Sequence, residues 1–159
     1  NNTPMATEIE RKFLLNSDAW RAEADAGVRM RQGYLIGAAK ASVRVRLSGD
    51  KAYLNIKSAT LGVQRQEYEY AIPVQDANDL LDTLCEQPLI EKIRYHVRHG
   101  DHLWEIDVFE GDNQGLIVAE VELDDENEAI SLPSWVDEEV SHDPRYYNVS
   151  LVKHPYRNW

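Results

Sequence analysis

The sequence predicts an α+β fold dominated by antiparallel strands, on three observations. Apolar and polar residues alternate with period 2 through most of the chain, turn residues separate the alternating runs at short intervals, and helix-period stretches are few. The alternating runs are Glu8–Leu15, Val28–Ile36, Ser42–Leu47, Lys51–Lys57, Gln64–Ile72, Ile90–Arg98, His102–Phe109 and Leu116–Asp124, which makes eight strands. The links Ser48-Gly49-Asp50, His99-Gly100-Asp101 and Gly111 to Gly115 carry turn chemistry and are too short for crossover connections, so they imply hairpins.

Helix is expected at Ser17–Ala24, capped by Ser17 or Asn16, and at Val74–Leu84, opening at Asp76. In the latter, Leu80, Leu81 and Leu84 form one stripe suited to covering the outside of a sheet. A C-terminal helical pair is expected near Ser134–Val140 and Pro144–Val152. Trp20, Trp104, Trp135 and Trp159 are expected to pack, and the lone Cys85 is expected to be buried as a small hydrophobe. No repeat, low-complexity run or linker interrupts the chain, so residues 5–159 read as one domain, with Asn1–Pro4 read as an expression remnant.

Composition narrows the classes of function. With 17 Lys+Arg against 28 Asp+Glu, the net charge of −11 argues against a protein that coats nucleic acid or an anionic membrane. A single cysteine excludes an intrachain disulfide and suits a reducing cytoplasm. No apolar run reaches the ~18 residues of a membrane helix, and no signal pattern opens the chain.

The charges themselves are patterned. Glu8, Glu10 and Lys12 share one parity, and so do Arg44 and Arg46, Glu67 and Glu69, Lys92 and Arg94, Glu105 and Asp107, and Glu120 and Glu122, with Lys57 on its own strand. Parity does not say which face is inside. If the apolar face is the core, these ions decorate the wet side of an open sheet or sandwich. If the strands close into a barrel, the ions line its interior, and enclosing them requires pairing, water or an ionic ligand. Six bases suit a polyanion and clustered carboxylates suit divalent cations, so a polyphosphate bound with Mg2+ or Mn2+ would satisfy both sets.

The ordered series E-x-E-x-K (Glu8, Glu10, Lys12), "RQGYL", "VRVRL", "LNIKS", "RQEYEY", "EKIRY", "EIDVF" and "AEVEL" resembles the triphosphate tunnel metalloenzymes, or CYTH superfamily. The tail "EEVSHDPRYYNVSL" is similar to that of short bacterial members. This resemblance implies a closed eight-stranded antiparallel tunnel with a charged interior and helices outside. It also implies a divalent-metal cofactor and hydrolysis or cyclisation of a triphosphate. Carried over by position, it implies phosphate binding by Lys12, Arg44, Arg46, Lys57, Lys92 and Arg94. Metal binding and water positioning would fall to Glu8, Glu10, Glu67, Glu69, Glu105, Asp107, Glu120 and Glu122, with Glu8 or Glu10 taking the proton.

The short chain closely resembles small bacterial members of that family, which implies an inorganic triphosphatase. A cyclase, a thiamine or nucleoside triphosphatase, and a non-catalytic polyphosphate-binding module are the alternatives. Arg29 and Arg31 share a parity that could extend the basic lining or sit on the rim. His96, His99 and His102 do not share a face suited to zinc, and neither a phosphate-binding glycine loop nor a motif-placed Ser or Cys nucleophile is present, so water is the expected attacker. An apolar exterior only partly covered by helices is compatible with a homodimer.

Overall fold

The computed structural model describes residues 7–59 and 63–159. The assignment of Asn1–Pro4 lies outside them. Eight strands are found where the alternation predicts them: β1 (Thr7–Leu15), β2 (Val28–Gly37), β3 (Ala41–Ser48), β4 (Lys51–Ser58), β5 (Gln64–Ile72), β6 (Ile90–His99), β7 (His102–Phe109) and β8 (Ile117–Glu122). The sheet runs in the order β5-β4-β3-β2-β6-β7-β8-β1, and β1 returns to pair with β5, closing an antiparallel barrel.

Closure decides the question that parity left open. The ionic parity faces inward, and the apolar parity faces out beneath covering segments. Helix α1 (Val74–Thr83) follows Pro73 and sets Ala77 and Leu81 against Val45 and Ala52 of β3 and β4. Burying Leu81 contributes about 1.5–3 kcal/mol. The expected stripe is shorter than its pattern suggested: Leu84 ends the helix as its C-cap and is 65% exposed. Cys85 is buried in the same cluster.

A second outer patch gathers Ile9, Phe13, Val97, Trp104, Ile106 and Val121 with Trp20 and Trp135, and Trp104 meets Trp135 edge-on at 5.7 Å. Trp20 reaches it from a 3-10 turn (Ala19–Glu23) shorter than the helix expected there, with Asp18 at the N-cap position in place of Ser17 or Asn16. Trp159 departs from the packing expectation at 44% exposure, although its ring does meet Tyr146 and Tyr156.

The expected helix at Ser134–Val140 is instead a strand, β9 (Val136–Glu139). The reason lies in β1, whose first residues (Thr7–Ile9) pair with β5; β5 begins at Gln64, opposite Ile9, so the rest of β1 runs past it and that edge needs another ladder partner. β9 fills it, pairing Phe13 with Glu139 and Leu15 with Val136, and Arg11 holds Glu139 through two bonds of 3.0 and 2.7 Å. An edge that must satisfy its backbone groups overrides a weak local helical pattern. The last expected helix divides into a 3-10 turn (Pro144–Tyr146) and α2 (Asn148–Lys153), and this segment packs over one end of the barrel through Tyr146, Leu151 and Val152. Among the described residues no helix is long and apolar enough to cross a membrane.

Candidate active site

Inside the barrel lies a cavity of about 90 Å³ whose lining is almost wholly ionic or polar. Strand register explains how distant residues meet there. Lys12 lies opposite Glu120 and Glu10 opposite Glu122 across β1 and β8, Arg94 opposite Asp107 across β6 and β7, and Lys57 opposite Glu67 across β4 and β5.

One wall, from β1, β6, β7 and β8, is a connected ion-pair network. Lys92 Nζ is 2.7 Å from Asp107 Oδ2, and Arg94 grips both Asp107 oxygens at 2.8 and 2.9 Å. Arg94 also reaches Glu105 and Glu120 at 3.3 Å, and Glu120 reaches Lys12 at 3.3 Å. Burial acts to raise Asp107, but Arg94 and Lys92 outweigh it and hold the carboxyl far below its ordinary range. Glu120 is likewise brought down to about 2, against its burial, by Lys12 and Arg94. Burial pushes the Lys92 ammonium down to about 7 despite Asp107 beside it.

The opposite wall, from β3 to β5, is different. Among the described residues Arg44 and Arg65 make no ion pair, and the Nε of each is buried without a hydrogen-bond acceptor. Arg46 donates only to the neutral Gln32 Oε1, at 2.8 Å. Burial, with Arg44 and Arg94 nearby, lowers Arg46 to about 9, which still leaves it charged at neutral pH.

A third group is acidic. Glu8 sits 3.0 Å from Lys57, and Asn55 Nδ2 donates to Glu67 at 2.6 Å. Burial and then Glu120 push Glu10 up to about 7. Glu8 is raised by burial against the pull of Lys57, and Glu122 by burial and then Glu105 and Glu10. These are carboxylates that lack enough positive charge around them.

Of the residues singled out from sequence, Glu8, Glu10, Lys12, Arg44, Arg46, Lys57, Glu67, Lys92, Arg94, Glu105, Glu120 and Glu122 all line this cavity. Two do not. Glu69 is exposed and lies outside the cavity lining. Asp107 is buried behind the lining, and its oxygens accept from Lys92 and Arg94.

Arg29 and Arg31 lie outside, paired with Glu110 and Asp82. His96, His99 and His102 diverge to Asp25, Ser131 and Glu128. The sequence reading passed over several lining residues. Arg65, Asn55 and Ser42 share strand parity with residues it did select, so alternation could have found them; Tyr34 has the opposite parity to Arg29 and Arg31, the residues noted on its strand. Tyr147 and Asn148 come from the C-terminal segment, where no period announces them.

Asn148 Oδ1 accepts from Lys92 Nζ at 3.0 Å and from Gln32 Nε2 at 2.9 Å, and Lys12 Nζ donates to the Tyr146 carbonyl at 3.2 Å. The C-terminal segment thus forms the end wall of the cavity.

A closed antiparallel barrel with an ionised, part-unpaired interior defines a class of protein built to enclose a polyanion beside acidic groups. Comparison with known families agrees: the CYTH domain model matches residues 6–156, and the chain belongs to that family. An inorganic triphosphatase of Acetivibrio thermocellus is 49% identical over 155 residues, covering 98% of this chain and 99% of that protein. An inorganic triphosphatase of Nitrosomonas europaea is 39% identical over 150 residues, covering 92% and 97%. A crystal structure of an inorganic triphosphatase superposes with a TM-score of 0.64 at 37% identity, covering 91% of this chain and 97% of that one. A Pyrococcus horikoshii protein at 18% identity shares the fold, with a TM-score of 0.60 over 76% of this chain and 80% of that one.

Proposed function

We propose that this chain hydrolyses inorganic triphosphate to pyrophosphate and phosphate, using Mg2+ or Mn2+. The observation that carries the reading is the meeting, in one cavity, of arginines that make no ion pair among the described residues (Arg44, Arg46, Arg65) and carboxylates without enough cations (Glu8, Glu10, Glu122). A triphosphate would supply the anion and a divalent ion the cation. The two named relatives at 49% and 39% identity support the same substrate class.

The donor set fits such an ion in a particular way. Among the described residues no group of three His, Cys, Asp or Glu is assembled as a ready metal site. Mg2+ is ordinarily held by one or two carboxylates, with substrate phosphates and water completing its shell. Glu10 and Glu122, opposed in register, both raised chiefly by burial and the second partly by the charge of the first, are the carboxylates that would hold it. When bound, the ion neutralises charge on the phosphate chain and makes phosphorus more open to attack.

The remaining work falls to side chains. Arg44, Arg46 and Arg65 fork onto phosphate oxygens, and their charge favours the transition state as negative charge spreads over them. Lys12, Lys92 and Arg94 stand on the facing wall, aimed by Glu120 and Asp107. Glu8, raised by its enclosure, accepts the proton of the attacking water as the terminal P–O–P bond breaks. The test is phosphate release by the purified chain from tripolyphosphate with each metal. Equal yields of phosphate and pyrophosphate, abolished by chelator, are expected. No release with either metal overturns the reading, and cyclic AMP formation from ATP would replace it with cyclisation.

A further inference from the structure

Arg46 stands directly opposite Gln32 across β2 and β3, so the two side chains share the inward face. Arg46 lines the cavity, whereas Gln32 has no exposed surface and lies behind the lining. A buried amide is expected to have its hydrogen bonds made, and both ends of this one are used. Gln32 Oε1 accepts from Arg46 Nε at 2.8 Å, and Gln32 Nε2 donates to Asn148 Oδ1 at 2.9 Å. Lys92 Nζ reaches the same Asn148 oxygen at 3.0 Å.

The sense of this chain follows from one end. A guanidinium can only donate, so the Gln32 atom that meets Arg46 is an oxygen. That turns the Gln32 NH2 group toward Asn148, whose facing atom must then be an oxygen as well, free to accept from Lys92. The bridge runs from β3 through β2 and the start of α2 to β6, and it is made of neutral groups.

A carboxylate at position 32 would also hold Arg46, but it would cancel its charge. Arg94 on the facing wall shows that arrangement, gripped by Asp107 and reaching Glu120. Gln32 instead holds the guanidinium by its Nε edge, and Arg46 makes no ion pair among the described residues. Arg44 and Arg65, its neighbours on the unpaired wall, have no acceptor on Nε.

We propose that Gln32 is a positioning residue for the bound triphosphate, acting through Arg46: it fixes the Nε edge of the guanidinium so that the two Nη groups meet phosphate oxygens as a preset fork. The inference deepens the proposed function and rests on the tunnel being the triphosphate site. Arginine holds phosphate best through two parallel N–H bonds, which need one orientation of the plane. A side chain ordered only on binding loses entropy at that moment, and one already held does not. Gln32 therefore acts on affinity and touches no reacting atom.

The experiment is a double-mutant cycle in initial-rate kinetics on tripolyphosphate with Mg2+. It uses the wild type, Gln32→Met, Arg46→Ala and the two combined, with a thermal melt of each. Methionine keeps the length of glutamine and removes both hydrogen bonds. The fold already carries Arg44 and Arg65 with unpartnered Nε atoms, so Gln32→Met is expected to fold. It is expected to raise KM about tenfold with kcat within about twofold of the wild type, as binding common to ground and transition states is lost. In the Arg46→Ala background the same change should move KM less than about twofold, because the group it acts through is gone. An unchanged KM, a shift of equal size with and without Arg46, or a fall in kcat and melting temperature at constant KM each overturn the proposal. Should Gln32→Met not fold, Gln32→Asn, which keeps a polar group but draws it back from Arg46 by one methylene, is taken through the same cycle and read by the same two ratios. If the wild type releases no phosphate, the proposed function fails separately. Calorimetric Kd values for tripolyphosphate through the cycle then read the role of Gln32 by the same criterion.

Discussion

On the wall made by β1, β6, β7 and β8, Lys12, Lys92 and Arg94 each have a carboxylate within 3.3 Å, whereas on β3 and β5 Arg44 and Arg65 have none and Arg46 meets only an amide. The same residue types thus serve opposite ends. A buried charge without a partner costs several kcal/mol even after relaxation. The unpaired wall is therefore a cost to folding that a bound anion would offset. The paired wall is already satisfied before any ligand arrives, and its bases are held in fixed positions by Asp107 and Glu120. On the function proposed above, one wall would set geometry and the other would supply affinity.

Removing the brace tests that division most severely. Asp107→Ala leaves Lys92 and Arg94 buried side by side, and the loss expected is about 3–5 kcal/mol, read as a lowered denaturant midpoint. Arg44→Ala should behave in the opposite manner. It removes a buried guanidinium that has no partner, so the denaturation midpoint should stay or rise, while kcat/KM on tripolyphosphate falls about 100-fold, or about 2.7 kcal/mol. If Arg44→Ala unfolds the protein and Asp107→Ala only slows it, the roles of the walls are reversed.

A third change probes the frame that holds both walls. A Cβ on Gly33, in the middle of β2, would stand 2.7 Å from Leu89 Cδ2 and 2.8 Å from Cys85 Cβ. Gly33→Ala therefore pushes β2 away from the connection between α1 and β6, at a cost of about 1–3 kcal/mol. Because Gln32 and Tyr34 flank it and face the ionic interior, activity should fall along with the melting temperature. A lowered melt with unchanged kinetics would mean that the interior tolerates movement of β2.

Much of this was legible in the sequence, for a definite reason. Alternation is a local property, so strands β1 to β8 and the inward set from Glu8 to Glu122 could be read off neighbouring residues. Which parity faces inward is a global property of closure, and Val45 beside Arg46 reads the same whether the sheet is open or shut. Departures from local pattern depend on partners elsewhere in the sheet. Glu69 follows its strand's parity yet is exposed and outside the cavity lining, and Val136–Glu139 becomes a strand at the β1–β9 seam because β1 needs an edge partner there. Tyr147 and Asn148 enter the site by docking of a distant segment, and no spacing in the chain encodes that contact.

The seam also yields the smallest and most local prediction. Glu139 ties β9 to β1 through Arg11, and it further accepts from Ser141 Oγ at 2.6 Å. The Arg11 guanidinium, and less strongly Ser141, hold Glu139 below its ordinary carboxylate value of 4.5 in spite of partial burial. A carboxyl whose folded pKa lies below its unfolded one stabilises fully above the unfolded value and loses that contribution as pH falls through the folded value. Glu139→Gln should therefore lower stability at pH 7 by about 0.2–1 kcal/mol, since the pair is partly exposed, and the gap to wild type should close on acidification below about 4. Arg11→Met should give the same pH dependence, because either variant breaks the same pair. Both should leave KM for tripolyphosphate unaltered, since Arg11 lies on the outward parity of β1. A change in KM would instead show that strand β9 transmits strain across β1 to Lys12, whose backbone N–H donates to Ser141 Oγ at 2.9 Å.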